Sequence, residues 1–374
     1  MRFRDIPGHE DVKERLRAMA DERRVPHALL LEGPVGSAKF MLIRALAQYI
    51  HCENHTPDGD SCGKCPSCLQ HQTFNHIDTI YSFPVIKKAG KSTISNDCFG
   101  EFKNFISDSP YMDIEKWIAM LGNINSQPVI YVEEGAELIR RLNFTARQSL
   151  FKIVLLWLPE RLKEETANKL LKLIEEPHPD TIFLMSSDNS RAILPTIYSR
   201  VQRITVCRYS DDEIKHFLTA SYPVSETDAE TLARLSSGNV IEALSLVDIS
   251  RMRQQFLDYF IELMRKAYQR KIGLLRQWSN DVAALGREQI IKFLDYASRL
   301  IRENFILNLH VDQLNYLTED ERKFSVNFAR FINERNVLKM FEVLNKARED
   351  IAGNANPKIV LFDLAVKTIL LIKQ

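Results

Sequence analysis

The sequence predicts an α/β domain followed by an all-α region, and three observations carry that prediction. Up to residue 207, short apolar runs alternate with helical patterns, as in a parallel sheet with crossover helices. From Ser210 onward only helical periodicity remains. Beyond residue 250 there is one proline, Pro357, and the only glycines are Gly273, Gly286 and Gly353, too few breakers to punctuate a series of strands.

The elements follow in order. Ala28–Leu31 reads as a short buried strand, and the glycine-containing turn after it opens a helix over Phe40–Ile50. Residues 86–128 interrupt the alternation, polar from Lys87 to Asp97 and then rich in aromatics, and read as an insertion between early elements of the sheet. Ile153–Leu158 is a second buried strand. Ala167, Leu170, Leu171 and Ile174 then recur at helical spacing until Pro177 and Pro179 stop the helix. Thr181–Met185 and Arg203–Cys207 read as two further strands. Residues 210–249 hold two or three helices, and the amphipathic stretches Ile290–Leu309 and Val326–Lys346 fit a helical bundle. The expected division is 1–207, 208–250 and 251–374.

Composition narrows the class. Fifty Lys and Arg balance 49 Asp and Glu, which argues against a chain whose main task is to coat nucleic acid, and no stretch interleaves basic and aromatic residues. The N-terminal MRFRDIPGHE carries no apolar signal-like run, and Phe151–Leu158 is too short to cross a bilayer. A cytoplasmic chain without membrane partners is the expectation.

Gly33-Pro34-Val35-Gly36-Ser37-Ala38-Lys39-Phe40 stands between a buried strand and a helix, the setting of a phosphate-binding loop G-x-x-x-x-G-K-[ST]. Ala38 replaces the second glycine, so a Cβ obstructs close approach of phosphate to backbone N–H groups. Phe40 replaces the hydroxyl that ligates magnesium. Gly33, Gly36 and Lys39 remain, and Lys39 alone is left to meet a phosphate, so productive ATP binding is not expected. Such ATPases also end a buried strand with an acidic pair, one for magnesium and one to activate water. Here Trp157 and Leu158 close the strand, and Glu160, two residues on, reads as a solvated residue opening the next turn. Losing both groups removes the electrostatic stabilisation that phosphoryl transfer needs.

Cys52, Cys62, Cys65 and Cys68 supply four thiolates within 17 residues. Two Cys-x-x-Cys steps sharing Cys65 form a knuckle that Cys52 can close into a tetrahedral site, and structural zinc is the expected ion. A redox dithiol would not need four cysteines, and an iron–sulfur cluster would imply a redox step that nothing else suggests. His51, His55 and His71 flank the site and read as surface residues.

These residues, with Ile6-Pro7-Gly8-His9, Val25-Pro26-His27-Ala28, the run Asn168–Pro177, Leu194–Arg200 and Asn354–Lys358, resemble the bacterial clamp-loader AAA+ family, and within it the delta-prime type. The resemblance is weakest over residues 86–128 and 251–345. It implies an AAA+ sheet with a zinc module at 52–68, a helical lid over 208–250 and a C-terminal collar that holds the chain in a hetero-oligomeric ring. The implied partners are gamma/tau and delta subunits, with a sliding clamp and primed DNA reached through the complex. It also implies that Arg200 is an arginine finger directed at a neighbour's ATP, a role that suits the permanently charged, planar guanidinium. Val201 stands where the family carries cysteine, and Glu242 stands where hydrolysing relatives carry the lid arginine. Arg191 and Arg203 are left as ordinary basic residues. The competing readings are an active gamma/tau-like ATPase and a zinc-dependent nucleic-acid-binding module.

Overall fold

The computed structural model describes residues 1–373 apart from 88–93, 123–125, 144–145, 177–179, 310–314 and 316. Pro177 and Pro179, expected to stop a helix, and parts of the 86–128 segment therefore lie outside the described residues. The chain divides into two compact units, Met1–Val247 and Asp248–Gln374.

In the first unit, β1 (Ala28–Glu32), β2 (Thr79–Ser82), β3 (Lys152–Trp157), β4 (Thr181–Ser187) and β5 (Gln202–Thr205) form one parallel sheet in the order β2-β3-β4-β1-β5. Sequence reading found all of these except β2, whose four residues TIYS are too short to show a period. The sheet is covered on both sides, so its central strands are continuous apolar runs, with alternate residues serving opposite faces. Leu29, Leu31, Leu155 and Trp157 pack into one core, and Leu30, Val154, Leu156 and Phe183 into the other.

The helices of this unit are α1 (Glu10–Asp21), α2 (Lys39–His51), α3 (Pro66–Gln72), α4 (Phe99–Asp108), α5 (Ile114–Met120), α6 (Val132–Leu142), α7 (Glu164–Glu175), α8 (Pro195–Tyr198), α9 (Asp211–Ser221) and α10 (Glu226–Ser236). Helix α9 starts at a capping box, in which Ser210 Oγ accepts from the Glu213 amide while the Glu213 carboxylate accepts from the Ser210 amide. Helices α4 and α5 come from the 86–128 segment. They bring Phe102, Phe105 and Trp117 against Phe83 and Trp157, and Trp117 Nε1 donates to Pro84 O at 2.8 Å, so the buried indole is satisfied.

Helix α11 (Val240–Tyr268) starts in the first unit, where Val240, Ala243 and Val247 enter the core, and runs into the second, where Phe256, Phe260 and Leu263 do the same. The second unit continues with α12 (Ile272–Ala283), α13 (Arg287–Asn308), α14 (Glu319–Phe328), α15 (Val337–Ala352) and α16 (Pro357–Leu371) around Phe260, Trp278, Phe293 and Leu300. The stretch Val326–Lys346, read as one amphipathic run, is broken between α14 and α15. Asn336 is fully buried there, and its side-chain amide donates to Phe331 O and Leu371 O while its Oδ1 accepts from the Asn333 amide. These local bonds compete with helix continuation. Among the described residues no helix is long and apolar enough to cross a membrane.

Candidate functional site

The loop between β1 and α2 is sealed by Lys39 together with Asp188 and Asn239 from elsewhere in the first unit. Lys39 is 4% exposed, and its Nζ pairs with Asp188 Oδ1 at 2.8 Å, just beyond the end of β4, and donates to Pro34 O and Ser37 Oγ. Gly36 adopts a positive φ of 79°, and a Cβ there would stand 1.9 Å from Asn239 Oδ1, so the side chain preceding α11 closes on the loop. Ala38 keeps a left-handed φ of 57°, where a non-glycine residue costs about 1–2 kcal/mol. The conformation of a glycine position thus outlasts the glycine.

Beside the loop, apolar packing occupies the positions that metal chemistry would need. Phe40, Trp157 and Leu158 are each about 3% exposed or less. Phe40 meets Trp157 at 6.4 Å and Phe102 at 6.3 Å between ring centroids. Glu160 departs from its reading as a solvated residue. It is half-buried, and Oε1 accepts from the amides of Asp188 and Asn189 at 2.9 and 3.0 Å, holding the turn that carries the partner of Lys39. Burial pushes its carboxyl above the ordinary value against the pull of those N–H groups. Glu242 is exposed on α11.

Arg200 follows α8 and is 39% exposed. Its Nε pairs with Glu175 at the end of α7, and Nη1 donates to Thr196 O at 2.8 Å. Of the other basic residues nearby, Arg203 lies over the Tyr198 ring.

The four cysteines converge. All four sulfurs lie within 4.8 Å of one another, and Cys62 and Cys68 Sγ are 3.9 Å apart. A tetrahedral ion with metal–sulfur bonds of about 2.3 Å requires sulfur pairs about 3.8 Å apart. Cys52 accepts from the Cys62 amide, Cys62 from those of Lys64 and Cys65, and Cys65 from that of Cys68. The Lys64 amide leads these bonds in holding the Cys62 thiol down to about 6, whereas burial pushes the Cys52 and Cys68 thiols up, a penalty that a cation at the centre would offset. The set can hold a metal ion.

His51 and His71 are not surface residues. With His76, which the sequence did not single out, they are about 95% buried, and His51 Nδ1 lies 2.9 Å from His71 Nε2 while its Nε2 lies 2.9 Å from Phe151 O. The His76 ring stacks on those of His51 and His71 at 17° and 23°. The ring nitrogens of all three lie within 4.8 Å of one another, so this buried group too could hold a metal ion. Burial pushes all three imidazoles down, His51 to about 3, which favours their neutral forms, and the contacts tie α2, α3 and residue 151 together. His55 is exposed and stacks on Tyr49.

Residues 8–209, more than half of the chain, match the family model described as DNA polymerase III, delta subunit. The chain belongs to this family. The DNA polymerase III subunit delta' of Haemophilus influenzae is 25% identical over 352 residues, which cover 92% of this chain and 90% of that protein. DNA polymerase III subunit tau of Bacillus subtilis is 23% identical over 395 aligned positions, covering 98% of this chain and 61% of that one. A gamma-subunit-related protein of Thermotoga maritima, solved by crystallography, aligns with 15% identity and a TM-score of 0.38 over 96% of this chain and 99% of its own, too distant to support an argument. As a member of the clamp-loader family of DNA polymerase III, the chain carries the AAA+ fold, its first unit built on the five-stranded parallel sheet.

Proposed function

We propose that this chain is a non-hydrolysing, delta-prime-like clamp-loader subunit that supports ATP-driven loading of a sliding clamp on primed DNA and lends Arg200 to a neighbour's ATP site. The observation that carries the reading is the sealed loop, with Lys39 neutralised by Asp188 and Phe40 packed on Trp157 where magnesium chemistry would stand. The gamma/tau-like ATPase reading would need that loop open.

Arg200 suits the role because its present partner is exchangeable. An exposed pair such as Arg200–Glu175 contributes about 0–1 kcal/mol, so a phosphate on a neighbouring subunit can draw the guanidinium away. The four-cysteine knuckle is assigned to structural zinc, which would hold a loop-rich excursion without entering the chemistry. Ring assembly is assigned to the C-terminal helices. Helix α16 is apolar nearly all round, yet Ile359 and Leu370 stay 69% and 65% exposed, a face that calls for cover by other subunits.

The test has two arms. The isolated chain should show no magnesium-dependent ATP turnover. In the complex reconstituted with gamma/tau and delta subunits, Arg200→Ala should lower turnover at the site it serves by about 10³-fold or more while leaving subunit co-purification unchanged. Turnover by the isolated chain, or an undiminished rate with Arg200→Ala, would sink the reading.

A further inference from the structure

The second unit holds a cleft of about 300 Å³ where the end of α11, helix α14 and the residues after α16 meet. Its floor is apolar, with Met264, Phe328 and Ile372 all buried. Its rim is basic: Arg265, Lys323 and Arg330 line it, Lys373 stands beside it, and among the described residues no acidic one lines it. The sequence does not display this cluster of rings and cations, because its parts come from positions 264–269, 323–331 and 372–373.

The cations are not equivalent. Lys323 is engaged by Asp320 at 3.0 Å, whereas Arg265, Arg330 and Lys373 have no ion-pair partner among the described residues. Two of these three lie over ring faces, Arg330 over Phe331 at 5.0 Å and Lys373 over Tyr268 at 4.9 Å. Stacking on a ring fixes a cation in place while leaving its outward N–H donors free. The chain has almost no net charge, so this group of cations around an apolar floor is a local excess.

We propose that this cleft docks an acidic peptide segment of a partner protein, seating one large apolar side chain on the Phe328 floor while its carboxylates meet Arg265, Arg330 and Lys373. A volume of about 300 Å³ is at the small end for ligand pockets and suits one or two side chains. Single-stranded nucleic acid is the less favoured occupant. It needs a groove that tracks several nucleotides and open ring faces for stacking, and here the cations already occupy faces of Tyr268 and Phe331.

The test uses the full chain and a fluorescent peptide of six glutamates followed by two leucines and a phenylalanine, read by anisotropy at low salt. The controls are the same peptide with glutamine for glutamate and a labelled oligothymidylate. The acidic peptide should bind, the glutamine peptide should bind at least about tenfold more weakly, and Arg265→Glu with Arg330→Glu should weaken the acidic peptide by a further tenfold or so. Both arginines are exposed, so unchanged circular dichroism is expected for the variant and separates lost docking from lost folding. Equal binding of acidic and neutral peptides, indifference to the charge reversals, or absence of peptide binding would overturn the proposal. So would oligothymidylate binding that exceeds peptide binding and is lost in the same variant.

Discussion

The Lys39–Asp188 pair makes an unequal prediction for its two members. Lys39 is 4% exposed and Asp188 20%. Asp188→Ala leaves a buried ammonium with only Pro34 O and Ser37 Oγ as acceptors, and removing one member of a buried pair costs about 3–5 kcal/mol. The partial exposure of the site points to the lower end, about 3 kcal/mol. Lys39→Met removes the charge, keeps most of the volume and leaves a carboxylate that water can reach, so its cost should be about 1 kcal/mol. The double variant should resemble Lys39→Met.

Thermal unfolding followed by tryptophan fluorescence measures this, with Trp278→Phe introduced so that Trp117 and Trp157 report the first unit alone. For a unit of this size, 3 kcal/mol corresponds to a fall of about 6–12 °C. The same melts test the loop as a nucleotide site. A competent loop with a dissociation constant near 0.1 mM would gain about 2.7 kcal/mol in 10 mM magnesium ATP, and the wild-type chain should gain none. An Asp188→Ala variant no weaker than Lys39→Met, or a clear ATP-induced shift, would refute the sealed-loop argument.

Phe40→Thr restores the motif's hydroxyl but empties the centre of an aromatic cluster, so it should cost about 3–5 kcal/mol in a urea titration without yielding magnesium ATP binding by calorimetry. The purified chain should release one zinc ion to a chelator monitored by a metal-sensitive dye, and Cys65→Ser should abolish that release and lower the melting temperature; metal-free protein with the same melt would count against the site. Burial works to raise the pKa of Asp78, but the amides of Arg147, Gln148 and Ser149 outweigh it and hold the carboxyl below 3.8. Its contribution is therefore complete above pH 3.8 and fades as pH falls through the lower folded value. Asp78→Asn should cost about 1–3 kcal/mol at pH 7 and flatten the acid limb of stability against pH; parallel limbs would refute that assignment.

What the sequence displayed was local. The apolar runs of β1, β3 and β4, the loop after β1 and the cysteine spacing all declare themselves within a few residues of chain. What it hid was non-local pairing. Lys39 meets Asp188, His51 meets Phe151 O, and Glu160 binds amides 28 and 29 residues away, so nothing near any of them marks it as engaged. Glu160 read as solvated and His51 and His71 as surface residues because a polar residue without a visible partner defaults to water. The 86–128 segment carried a usable signal in its aromatics, which predict a core, but not which core. The break before α15 was legible in principle from Asn333 and Asn336, since asparagine favours turns over helix interiors.

The substitutions around the loop are coupled rather than scattered. Phe40, Trp157 and Phe102 touch one another, and Phe102 comes from the segment inserted between β2 and β3, so that segment supplies the packing that the aromatic replacements require. Lys39 and Asp188 neutralise each other, and Glu160 holds the turn bearing Asp188. Restoring a single motif residue in such a set would open a cavity or strand a charge, without rebuilding a magnesium site whose other members are apolar. Selection on the fold alone therefore favours keeping the loop shut. Arg200 answers to different physics. It sits on the surface, in a pair too weak to fix it, with guanidinium donors available to an incoming anion. Under the proposed function, a body whose own loop stays shut would present this loosely held arginine in the same way whatever the nucleotide state of the neighbouring subunit, which a body cycling through its own ATP could not do.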